Sequence, residues 1–150
     1  MKPVTKVHIG AATISILTIA TFWLSTVISE LFMSLDAVVA VKTFIFYGLW
    51  LLIPAIIITA GSGNFMARNH THPAIARKKK RMPFIALNGI LILVPSAVFL
   101  YTKAINQEFD GVFYAVQMVE LIAGLINLTL MIQNAKDGKR IRTKPNSPQN

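Results

Sequence analysis

Residues 61–81 read GSGNFMARNHTHPAIARKKKR and end in five consecutive cations, Arg77 to Arg81. Such a block is strongly disfavoured from crossing a bilayer, so it pins the middle of the chain to the cytoplasmic side. On either side of it the sequence is apolar. Residues 7–28 carry no charge, and about 20 apolar residues suffice to cross a ~30 Å hydrocarbon layer. This run exceeds a signal-peptide core and lacks a small-residue cleavage site before Glu30, so it reads as a first span, residues 7–29. Three more spans follow at 38–64, 83–103 and 112–134. The expected fold is all-α: an integral membrane four-helix bundle. Short connections make it up-down-up-down.

Composition agrees with this reading. The chain is 54% hydrophobic and 14% charged, too few charges to cover a surface in water. It has no cysteine, which excludes disulfides, thiolate metal sites and cysteine catalysis. A net charge of +9 beside apolar spans points to topology control and anionic lipid headgroups rather than to nucleic acid. With the N-terminus inside, Lys2, Lys6, Arg68, the five of the block, Lys136, Lys139, Arg140, Arg142 and Lys144 share one side, 13 of 15 cations. Both termini are therefore expected in the cytoplasm of a multi-pass cell-membrane protein, the expected membrane being a bacterial inner membrane. Lys42 and Lys103 remain outside, Lys42 snorkelling to the outer interface. Residues 135–150 read as a basic, disordered cytoplasmic tail.

Each span has local signals. His8, Ala11, Ser15, Thr18, Ser25 and Ser29 recur in helical steps along the first. Gly48, Ala55, Thr59, Gly63 and Met66 do so along the second, which Asp36 is placed to cap. Pro83 suits the first turn of the third, and Asn88-Gly89 and Pro95-Ser96 interrupt it. Small-residue faces let helices approach closely in lipid, which motivates a homo-oligomer, a homodimer being the simplest.

The chemistry-bearing residues gather in the cytoplasmic half. Glycines on facing helices make room for a flat macrocycle such as haem b, and histidines ligate its iron. His8 and His70 are the expected iron ligands, with Gly63, Asn88 and Asn127 around the cofactor. Arg68 and the lysine block suit the propionates. Counted along straight helices, His70 lies about 9 Å beyond the level of His8, so pairing them needs a bend at Gly61-Ser62-Gly63 or a return of the chain before Pro73. In the fourth span Gln117, Glu120, Gly124 and Asn127 form a polar stripe. Glu120 reads as the single carboxylate inside a span, and it forms an intramembrane polar site with Gln117, either a proton or substrate site or a link between helices.

In overall shape the pattern resembles small b-type cytochromes, which implies electron transfer or haem handling with a redox partner the sequence does not name. Chain length, four spans and basic character also resemble the membrane-bound glutathione transferases, and Arg68-Asn69-His70 is similar to their Arg-Ala-His-x-Asn cluster. That resemblance implies a transferase of lipophilic substrates. A third expectation is a cofactor-free accessory subunit. Whether the chain is an enzyme stays open, and no nucleotide-binding glycine loop or Ser/His/Asp set is present.

Overall fold

The computed structural model describes residues 1–68 and 72–143. The chain forms four antiparallel rods: α1 (Pro3–Phe32), α2 (Leu35–Ala67), a third rod built from α3 (Pro73–Asn88), a π-helical turn (Gly89–Leu93) and α4 (Val94–Ile105), and α5 (Gly111–Thr143). All four are long and apolar enough to cross a membrane. Neighbours in sequence pack side by side, and α1 closes the bundle against α5. The shell is apolar: Trp50, Leu31, Phe32, Ile57, Ile90 and Leu91 are all exposed, as lipid-facing positions require. The start of α1 and the end of α5 lie at one end of the bundle, the inner end, which on the cation bias is the end expected in the cytoplasm.

The rod ends follow from local chemistry. Pro3 and Pro73 occupy first turns, where a missing N–H costs nothing. The hydroxyl of Ser34, rather than Asp36, caps α2 by accepting from the Ala37 N–H at 3.3 Å. His72 Nδ1 accepts from the Ala74 N–H at 3.1 Å and starts α3. The third helix thus begins at Pro73 rather than Pro83, because this cap and Pro73 supply a complete helix start before the basic block. Pro83 lies within the helix. Further on, the Val94 N–H reaches Gly89 O and opens the π turn. Pro95 explains it: the proline has no N–H, and its ring would press on the carbonyl of Leu91 in a regular α-helix. The last rod is capped by Asp110, whose Oδ1 accepts from the Phe113 N–H at 2.9 Å. Bonding from the Lys103 ammonium, then from that N–H, holds the Asp110 carboxyl below its ordinary value.

Inside the bundle, apolar and polar layers alternate. Val38, Leu100, Ala104 and Phe113 close the outer end. Ile19, Phe22, Ile45, Leu49, Leu52, Ile85, Ala97 and Met131 form the central core. His8, Ala11, Ser15 and Ser29 face inward on α1 as expected, together with Ile19, Phe22 and Thr26; Thr18 and Ser25 are only half-buried. The glycines behind the expected oligomer are occupied within one chain. A Cβ on Gly48 would meet Phe22, on Gly63 His8, and on Gly124 Trp23.

The basic tail begins later than residue 135. α5 stays helical to Thr143 because α3 holds it: Arg81 donates to Asn134 at 3.2 Å and to Asp137 at 2.8 Å, and Arg77 lies 3.6 Å from Asp137. Residues 144–150 of the expected tail lie outside the described residues.

Candidate functional site

Between the inner ends of the rods lies a cavity of about 860 Å³. Small residues create it: Ala12 from α1, Ala60, Gly61 and Gly63 from α2, Ala86 from α3 and Gly138 from α5 all line its wall. Met66 and Met82 add thioethers, and Lys78, Lys79 and Lys139 add ammonium groups. The chamber is therefore mostly apolar with cations at its inner side.

His8 reaches this cavity from the second turn of α1 and is 8% exposed. Its Nδ1 lies 3.1 Å from Thr59 O and 3.0 Å from Ser62 Oγ. A carbonyl can only accept, so these partners assign the proton to Nδ1. The Ser62 hydroxyl spends its own proton on Ile58 O at 2.6 Å. Nε2 is then the acceptor, and the Lys78 ammonium donates to it at 3.1 Å. Gly63 lets the ring stand there, since a Cβ at that position would lie 3.0 Å from His8 Cε1.

The other expected cofactor residues lie elsewhere. Asn88 and Asn127 are spent on each other. Asn88 Nδ2 donates to Asn127 Oδ1 and to Ala123 O, both at 2.9 Å, and Asn127 Nδ2 donates to Ile85 O at 3.3 Å. This pair ties the third rod to α5 and does not line the cavity. Arg68 is exposed at the end of α2. His70, and with it most of the Arg68-Asn69-His70 cluster, lies outside the described residues. Among the described residues, no group of three His, Asp or Glu side chains is placed to hold a metal ion.

The sequence reading placed Lys78 only as one member of the lysine block expected at the propionates, and its contact with His8 was not foreseen. Taken as one block, Arg77–Arg81 offered no phase. Once the helix starts at Pro73, Ala74, Ile75, Lys78, Arg81 and Ile85 fall on the inward side.

A second polar centre lies in the outer half. Lys42 does not snorkel: it is 1% exposed and donates to Gln117 Oε1. Its Nζ stands 3.6 Å from Glu30 Oε1 and 3.5 Å from Glu120 Oε2. Lys42 turns inward because two carboxylates and an amide meet it there. Glu120 and Gln117 are brought together as expected, with Gln117 Nε2 3.5 Å from Glu120 Oε2. Glu120 is not the single carboxylate inside a span, since Glu30, within α1, joins it.

No family model, curated protein or solved structure matches this chain.

Proposed function

We propose that this protein binds, from within the cell membrane, a molecule with an apolar body and an acidic rim, and that this molecule is haem b. The observation that carries the reading is His8. Metal-bound imidazoles usually donate their other ring N–H to a carbonyl or carboxylate, which fixes tautomer and orientation. Thr59 O accepts in that way here, which turns Nε2 toward the cavity, where iron would take the place that the Lys78 ammonium holds. Lys78, Lys79 and Lys139 suit two propionates, and Met66 or Met82 offers a thioether, a haem ligand that raises the potential. When bound, haem supplies one-electron chemistry. The chain's part is to orient His8, exclude water with its apolar wall and neutralise the acidic rim. Electron transfer or haem handling follows from such a site.

A second reading is supported by the Lys78 contact on Nε2. With that contact in place the cavity is complete without iron and suits an anionic lipid or another apolar acid. The absorption spectrum of protein purified from haem-replete cells separates the two. A Soret band, with sharp α and β bands on reduction, supports low-spin haem. His8→Ala is then expected to abolish or shift those bands, and an unchanged spectrum removes His8 as ligand. Colourless protein that retains an acidic lipid by mass spectrometry favours the second reading. Protein that carries neither is the outcome expected of a cofactor-free accessory subunit.

A further inference from the structure

The outer polar centre is unrelated to the haem reading, and its charges do not balance. One ammonium, Lys42, faces two carboxylates, Glu30 and Glu120. With all three ionised the cluster carries one net negative charge. Its members are 1% exposed at Lys42 and 13% exposed at each carboxylate. An uncompensated charge in such surroundings is strongly disfavoured. The bonding is also incomplete. Gln117 takes one Lys42 N–H, both carboxylate distances exceed ordinary charge-assisted bonds, and Glu30 Oε1 is buried without a hydrogen-bond partner.

We infer that Glu30, Lys42 and Glu120 form a binding site for one exchangeable proton. A hydronium ion of the bulk water breaks one O–H bond and leaves as water, while its proton forms an O–H bond on one of the two carboxylates, bringing the cluster to neutrality. It leaves by the reverse step, and no other reactant is needed. Two carboxylates around one ammonium titrate as a unit, so the proton belongs to the pair. Gln117 holds Lys42 between them. Other charged or titratable groups of the outer half are engaged elsewhere or exposed: Lys103 on α4 pairs with Glu108 and Asp110, Tyr101 stacks on Phe46 at 4.2 Å, and Asp36 and Tyr114 are exposed. Access is from the outer face, because Glu30 stands in the last turn of α1, which ends at Phe32.

Infrared spectroscopy of the full chain in lipid nanodiscs tests the site. At about pH 7 ordinary carboxylates are ionised, so a protonated-carboxyl carbonyl band reports a site of this kind. The expected band corresponds to about one acid per chain and moves when glutamate alone is labelled with carbon-13. Glu30→Gln and Glu120→Gln are each expected to abolish it, because the carboxylate left behind is balanced by Lys42. Lys42→Met is expected to roughly double it, since both carboxylates then need protons. Absence of a glutamic-acid band in the wild-type protein, or a band of full size in both glutamine variants, overturns the inference. If the variants fail to fold, the labelled wild type decides, because the remaining glutamate, Glu108, is 55% exposed.

Discussion

Gly48 and Gly61 sit in the same helix, α2, yet alanine should act oppositely at the two. A Cβ built on Gly48 lies 2.4 Å from Phe22 Cζ and 2.8 Å from Phe22 Cε1, whereas one on Gly61 meets nothing within 4 Å. Relaxed carbon contacts are about 3.5–4.0 Å, so the first Cβ falls more than about 1 Å inside contact. Phe22 has little room to yield, being 9% exposed and edge-on to Phe44 at 5.7 Å. Overpacking of this kind costs about 1–3 kcal/mol. Replacing glycine by alanine within a helix returns about 0.5–1 kcal/mol at either position. That gain cancels in the comparison. Gly48→Ala should therefore be less stable than Gly61→Ala by about 1–3 kcal/mol, while Gly61→Ala exceeds the parent slightly. Reversible unfolding in mixed micelles, followed by Trp23 fluorescence, measures both. Trp23 suits the purpose because its indole N–H donates to Leu121 O at 2.9 Å across the α1–α5 contact. Repeating the pair in a Phe22→Leu background should erase most of the difference. Equal stabilities of Gly48→Ala and Gly61→Ala in the parent would refute the packing of α1 on α2.

Three further outcomes are expected. Asn88→Leu and Asn127→Leu, analysed as a double-mutant cycle, should show a coupling of about 0.6–1.7 kcal/mol, the range for hydrogen bonds between membrane helices; zero coupling contradicts the direct Asn88–Asn127 bond. Asp110 is held below its ordinary value of 3.8, so its contribution is complete above that value and is lost as pH falls through the lower folded one. The difference in unfolding midpoint between the parent and Asp110→Asn should stay flat from about pH 7 to about 4 and shrink below; a gap that widens on acidification refutes the Lys103–Asp110 pairing. The chain has no cysteine, so Lys79→Cys and Gln107→Cys give unique labels on exposed sites at opposite ends. An impermeant thiol reagent should reach the first only from the cytoplasm and the second only from outside, and the reverse pattern would invert the orientation.

What could be read from the sequence was whatever depends on contiguous stretches of chain. Hydropathy accumulates along a span, and cations accumulate along a loop. Four spans and their alternation therefore followed without knowing any contact. The stripe Gln117, Glu120, Gly124, Asn127 was legible because helical phase is a local property. Helix-start chemistry was misread at the third span, because Pro83 stands at the edge of the apolar run and reads as its first turn, ten residues after the start at Pro73. What those residues meet is decided by the rotation of each rod about its own axis, and only packing fixes that. Rotation places Lys42 between Glu30 and Glu120 instead of at the lipid interface. It spends Asn88 and Asn127 on each other. It also turns Lys78, one of five adjacent cations, toward His8, because side chains three and four apart share a helix face while their immediate neighbours point away.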